Sequence, residues 1–169
     1  MTVSNAIKFV IHSQLNHKML GRKRLHKLLL LGSIAADDHV GEDILSEAEF
    51  YIHHYGVYSK TVAKSLDELV FEGSLIKKSE ALGVFDSLVD TYEQDTNCSS
   101  PSEKFDSAIE TLSSRNTILL EVAANVAFHF KKGKSLATAK EETELLKPVK
   151  SERYMDDSIS LLREVGILE

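Results

Sequence analysis

The segment Thr117–Lys132, TILLEVAANVAFHFKK, places apolar residues on nearly every face of the helix it would form: Leu119, Leu120, Val122, Ala123, Ala124, Val126, Ala127, Phe128 and Phe130. A helix without a polar face has to be enclosed by other elements. It is also too short and too closely flanked by charge to cross a bilayer, which takes about 20 apolar residues. Asn116 is placed to cap it and Gly133 to end it. The rest of the chain must therefore supply helices to wrap it, and this helix is expected to form the core of the C-terminal half.

Those helices are legible from their period. Val3–Leu15 carries a stripe of Ile7, Val10, Ile11 and Leu15, and Arg22–Ala36 turns Leu25, Leu28, Leu29 and Gly32 inward. Phe105, Ala108, Ile109 and Leu112 recur at helical spacing behind Ser100-Pro101-Ser102-Glu103, which reads as a capping box with Ser100 as cap. Leu136–Lys147 reads as a charged helix stopped by Pro148. Ser151 is expected to cap a last helix, Glu152–Val165, with Met155, Ile159 and Leu162 inward and Gly166 as its stop. Between Asp90 and Glu103 the chain is polar and reads as a linker.

The middle of the chain, Phe50–Lys78, changes period. Phe50, Tyr51, Ile52 and Tyr55 suit a strand, and Gly56 can turn it with a positive φ. Ser59 is placed to cap a helix with Val62, Leu66, Leu69 and Val70 on one stripe, ended at Gly73. A strand restarts at Leu75-Ile76, and Ala81-Leu82-Gly83 can turn it back into Val84–Val89. The expected fold is mainly α (α+β): a winged-helix-like module with a short β-hairpin over residues 1–92, a linker over 93–103, and a C-terminal helical bundle over 104–169 packed against the first module.

GRKRLHKLLLL at Gly21–Leu31, YGVYS at Tyr55–Ser59 and LDELVFEGSLIKK at Leu66–Lys78 resemble the YwgA-like bacterial and archaeal family. That family has a G-R-K-K-L-Q-K-like helix, a Y-G-P-Y-S turn and a helix ending at glycine. Panacea-domain proteins, some of them antitoxins or phage-associated, are more distantly similar over the same order of elements. The resemblance covers about half the chain well. Val57 stands where the pattern has proline, so the turn is less preset. The resemblance implies a regulatory, antitoxin-like or phage-defence setting and carries no established activity with it.

Hydrophobic residues make up 43% of the 169 residues and charged residues 27%, as in ordinary globular chains. One cysteine, Cys98, rules out an internal disulfide framework and a cysteine zinc site. No secretion signal is evident, so a cytoplasmic location is expected, with no membrane partner. The net charge of −6 weighs mildly against general nucleic-acid binding.

Of the seven histidines, six are readily set aside as ligands: His12 and His17 are five apart, His53 and His54 are adjacent, and His26 and His129 lack an H-E-x-x-H context. Phosphate-binding glycine loops and a G-x-S-x-G elbow are missing too. No catalytic residue, metal or cofactor is expected.

Charge is the remaining signal. Lys18, Arg22, Lys23, Arg24 and Lys27 form a basic block with no acid, and Asp37, Asp38, Glu42, Asp43, Glu47 and Glu49 form an acidic block with no base. The basic block reads either as a solvated face or as a docking patch. Its partner would be the acidic block or an acidic surface on another molecule. On the second reading Arg22, Lys23, Arg24 and Lys27, with Tyr55 and Tyr58 at the turn, are the candidate partner-binding residues of a non-enzymatic protein-interaction module, an adaptor or antitoxin-like regulator. The alternative is a DNA-binding regulator that uses the Ser59–Gly73 helix, with Lys60, Lys64, Lys77 and Lys78 as candidate phosphate contacts.

Overall fold

A computed structural model describes residues 2–54, 56–82, 87–94 and 98–169. In chain order they form α1 (Val3–His12), a 3-10 turn (Leu15–His17), β1 (Lys18–Leu20), α2 (Arg22–Ala36), α3 (His39–Ala48), β2 (Tyr51–His53) and β3 (Gly56–Tyr58). There follow α4 (Lys60–Phe71), β4 (Ile76–Leu82), β5 (Ser87–Glu93), α5 (Glu103–Ser113), α6 (Thr117–Lys131), α7 (Leu136–Leu146) and α8 (Pro148–Glu164). The protein is mainly helical with small antiparallel sheets.

The apolar helix is α6, and it is enclosed as its composition demands. Asn116 caps it, its Oδ1 accepting from Leu119 N at 2.8 Å. Leu120, Val122, Ala123, Ala124, Val126 and Ala127 are fully buried, and α2, α7, α8 and β3 pack around them. Towards its ends the helix meets solvent, at Ile118 and Phe130. The second organising helix, α2, packs on α1, α3, α5 and α6. Gly32 permits the α2–α5 approach, since a Cβ there would come within 2.7 Å of Ile109 Cδ1.

Three elements depart from the sequence reading. The first helix ends at His12, and Asn16 and His17 take positive φ to swing the chain into β1. Leu15, expected in the buried stripe, is consequently exposed. β1 pairs with β5 in a three-stranded antiparallel sheet of order β1-β5-β4, with Met19 opposite Tyr92 and both fully buried. Most of the acidic block, to which the sequence reading assigned no element, is a helix, α3, capped by Asp38 Oδ1 on Gly41 N at 2.9 Å.

Boundaries shift as well. β4 continues through Leu82, where a turn was expected, and residues 83–86 lie outside the described residues. Asp90–Glu93, read as linker, belong to β5. The cap of α5 is Ser102, accepting from Phe105 N at 3.2 Å, and Ser100 is not the cap. Pro148 starts α8 as well as ending α7, which leaves Ser151 inside the helix and buried. Proline suits a first helical position because its missing N–H has no intrahelical partner there in any case.

An aspartate at position 126 would put an unpaired carboxylate among apolar side chains of α6. Val126→Asp is expected to unfold the protein or cost several kcal/mol (on the order of 3–5) in chemical denaturation. An unchanged melting temperature would contradict the placement of α6.

Candidate functional site

The pairings Tyr51↔Tyr58, Ile52↔Val57 and His53↔Gly56 make β2 and β3 a very short hairpin, too small to be stable alone. Side chains from three helical regions hold its backbone. Lys27 Nζ donates to Val57 O at 2.6 Å, and Asn125 Oδ1 accepts from Val57 N at 3.2 Å. Lys147 Nζ donates to His54 O at 2.6 Å. Ser59 caps α4, accepting from Val62 N at 3.0 Å, while its hydroxyl donates to Ala48 O. Gly56 has φ +86°, and a Cβ there would lie 2.9 Å from Asn125 Oδ1. The GRKRLHK and YGVYS segments therefore interlock.

Beside this junction is a cavity of about 440 Å³, lined by Arg22, Lys23, His26, Lys27, Tyr51, His53, Tyr58 and Lys60. Helical spacing explains the α2 contribution: residues 22 and 26, and 23 and 27, are i,i+4 pairs on adjoining strips of one face. The rings form a connected cluster. His26 stacks on Tyr58 at 4.5 Å between centroids, and Tyr51 meets Tyr58 edge-on at 5.9 Å. His53 lies 5.7 Å from Tyr58 and 6.4 Å from Tyr51. No carboxylate lines the cavity among the described residues.

The cations differ in their settings. Lys23 and Lys60 are exposed, whereas Lys27 is only 2% accessible. Burial pushes the Lys27 ammonium down to about 8, with Glu121 partly opposing the fall. Arg22 donates to Asp67 Oδ1 at 2.6 Å and to Tyr92 Oη at 3.1 Å. Although burial works against its charge, these bonds hold Arg22 above its ordinary range. His26 has Nδ1 2.7 Å from Arg22 O and Nε2 3.0 Å from Ser59 O. Burial lowers its pKa against the pull of those two carbonyls. A neutral ring can donate to only one of them.

Of the candidate partner-binding residues, Arg22, Lys23, Lys27 and Tyr58 meet on this cavity. Arg24 points elsewhere, donating to Ser113 O and Arg115 O, each at 2.7 Å, and so closing the C-terminal end of α5. Tyr55 lies outside the described residues. Arg22 bonds to Asp67 and Tyr92, Arg24 to Ser113 and Arg115, and Lys27 to Val57, all of them outside the acidic block. Glu42 of that block pairs with Lys131 at 2.6 Å, and Glu47 accepts from Val3 N at 3.0 Å.

Of the candidate DNA contacts, Lys60 joins the cavity. Lys64 pairs with Glu68 at 3.3 Å, Lys77 with Asp90 at 2.9 Å and Lys78 with Glu93 at 2.6 Å.

His26, Tyr51, His53 and Asn125 were not singled out as site residues by the sequence. Asn125 had a signal, as an amide within the apolar run of α6, since a buried polar group requires a hydrogen-bond partner. His26 had one too, at i+4 from Arg22 and next to Lys27.

Elsewhere, His12 and His17 stack at 4.2 Å, and His129 pairs with Glu142 at 2.7 Å. Cys98 is half-buried against Gln94. Among the described residues no group of three or more His, Cys, Asp or Glu is placed to hold a metal, and no helix is long and apolar enough to cross a membrane. No protein-family model matches the chain, and no curated protein or solved structure shows detectable similarity to it.

Two measurements test this junction. An unfolded lysine titrates near 10.4, roughly, and Lys27 in the fold at about 8. Between those values the unfolded chain holds the extra proton, so Lys27 makes stability rise with pH across that window, by on the order of 2–3 kcal/mol. Urea unfolding from pH 7 to 10 is expected to show wild type gaining on Lys27→Met as pH rises; parallel curves would refute the buried ammonium. Gly56→Ala is expected to cost clearly more than Gly73→Ala. Both positions have positive φ, worth about 1–2 kcal/mol of strain, but a Cβ at Gly73 meets nothing within 4 Å. Equal losses would mean that the Asn125 contact yields freely.

Proposed function

We propose that the chain is a non-enzymatic protein-interaction module, an adaptor or antitoxin-like regulator, that docks an acidic segment of another protein on the face formed by α2 and the β2–β3 hairpin. The observation that carries this reading is the convergence of Arg22, Lys23, Lys27 and Lys60 on one aromatic-floored cavity, with no lining carboxylate among the described residues, in a chain whose net charge is −6. Local charge of the opposite sign to the whole steers a complementary partner and suppresses like-charged ones. Tyr51 and Tyr58 are half-buried in the same wall. Tyrosine in such a setting gives contact area at low entropic cost and recurs among interface anchors. The likeness to YwgA-like and Panacea-domain proteins is consistent with a regulatory role.

A second reading is favoured by topology. On this view the N-terminal half is a winged-helix-like module, in which β1 pairs with β5 of the β4–β5 hairpin that follows α4, and α5–α8 form a helical bundle behind it. Helix α4 would then enter a DNA groove, with Lys60, Lys64, Lys77 and Lys78 near phosphates. Three of those four lysines are paired with Glu68, Asp90 and Glu93. Asp67 and Glu68 add negative charge to the same helix, so a protein partner is the preferred reading.

The readings separate in a binding assay. A fluorescent Glu/Asp-rich peptide should bind the wild type with a salt-sensitive affinity. The double variant Lys23→Glu/Lys60→Glu should weaken it about tenfold or more at an unchanged melting temperature, and Lys77→Gln/Lys78→Gln should leave it intact. A duplex-DNA shift at low salt that disappears with Lys77→Gln/Lys78→Gln, alongside no peptide binding, would reverse the preference.

A further inference from the structure

The geometry points to a small-molecule site within the proposed docking face: we infer that the α2–hairpin cavity takes a flat ring bearing a phosphate, with the size and charge of a nucleoside monophosphate. This inference rests on the same cavity as the docking reading and names a ligand for it.

The first reason is size. A volume of about 440 Å³ is far more than an acidic side chain fills and lies within the roughly 300–1,000 Å³ typical of small-molecule pockets. Wall chemistry supplies the second. Tyr51, Tyr58 and His53 make the accessible aromatic surface; buried His26 backs Tyr58 in a stack inclined by only 14°, and Tyr51 stands edge-on at 81°. His26 is itself fixed, with backbone carbonyls at 2.7 and 3.0 Å from its two ring nitrogens. A pre-set aromatic wall favours a flat ring, because stacking there needs no rearrangement and every base has a π-face to offer.

Charge is the third reason. Lys23 and Lys60 stand exposed at the rim, Arg22 is partly accessible, and Lys27 contributes a positive field from below. Carboxylates act on two of these cations from outside the lining: Asp67, 59% exposed, engages Arg22 at 2.6 Å, and Glu121 acts on Lys27 from α6. The lining itself holds four cations and, among the described residues, no carboxylate. A phosphate would lie at the rim between Lys23 and Lys60 while the ring lies against the tyrosines. No asparagine, glutamine or carboxylate lines the cavity among the described residues to read a base edge, so stacking and phosphate contacts are expected to outweigh discrimination among bases.

Isothermal titration of the full chain with AMP, CMP, GMP and UMP is the test, with inorganic phosphate and adenosine as separate arms. The expected result is submillimolar binding of all four nucleotides within about tenfold of one another, and binding of phosphate or adenosine weaker by about tenfold or more. Lys23→Glu and Lys60→Glu should each weaken the nucleotide by several-fold, and Tyr51→Ala should weaken the nucleotide more than phosphate. Lys104→Glu, an exposed change elsewhere, should have no effect. Circular dichroism melting of each variant controls for folding.

Nucleotide binding absent at millimolar concentration, or unmoved by both charge reversals, overturns the inference. So does phosphate binding as tightly as the nucleotides, which would leave the ring unrecognised. Peptide docking without nucleotide binding removes this inference and keeps the docking reading. Nucleotide binding without peptide docking does the reverse, and displacement of the peptide by AMP supports both.

Discussion

The contact on which the rest depends is an ammonium group donated to a backbone carbonyl inside the fold, Lys27 Nζ to Val57 O at 2.6 Å. Burying a charge is expensive unless hydrogen bonds and opposite charge compensate. The opposite charge comes from α6. Glu121 is 8% accessible and pairs with Lys150 at 2.6 Å and Lys147 at 3.1 Å. Burial opposes its ionisation, but those two lysines hold it below the usual carboxylate range. Lys147 then reaches on to His54 O. One polar chain thus ties α2, α6 and the α7–α8 junction to a hairpin that could not stand by itself. Removing one member strands the others, which is why such a network fixes a single arrangement more than it adds stability.

The same network explains why an otherwise weak turn is well defined. Val57 lacks the preset φ of proline, and its backbone is instead gripped on both sides, its N–H by Asn125 and its C=O by Lys27. Gly56 allows the close approach to Asn125 and supplies the positive φ in the same residue. The aromatic wall follows from it. Tyr51 and Tyr58 are cross-strand neighbours in the hairpin register, so fixing Val57 between them and α2 fixes the ring cluster too.

Much of the fold was legible because it follows from local rules. The buried stripe of α5, the all-apolar α6, the Ser59 and Asn116 caps and the Gly56 turn are each decided by a few neighbouring residues. What escaped depends on distant partners. β1 is three residues long and exists because β5 offers a ladder, with Lys18 opposite Glu93 across the sheet. Helix α3 has only a short apolar stripe, and its acids masked a helix that packs on α2 so closely that Gly41 faces the Ser33 carbonyl. Ser100 and Ser102 are equally good caps by type, and the structure selects Ser102. In the site, residue types were visible but directions were not: the acidic block and an outside surface were both open as counterparts of the basic block, and Arg22 crosses to Asp67 of α4.

Those directions also resolve what four cations are doing at the positive end of a helix dipole, where like charges and the dipole both work against them. They are not one patch. Successive residues on a helix are about 100° apart, so Arg24 turns to the opposite side from the 22–23–26–27 face. There its guanidinium meets the carbonyls at the end of α5, where positive charge is favourable. Arg22 is neutralised by Asp67 and anchored to Tyr92, and Lys27 is spent on the hairpin. The cation cost at the start of α2 is therefore offset three times by separate structural contacts. Lys23 is exposed on the cavity, where Lys60 joins it from the start of another helix. The Lys23–Lys60 rim above an aromatic floor is where recognition of an anion has the clearest physical basis.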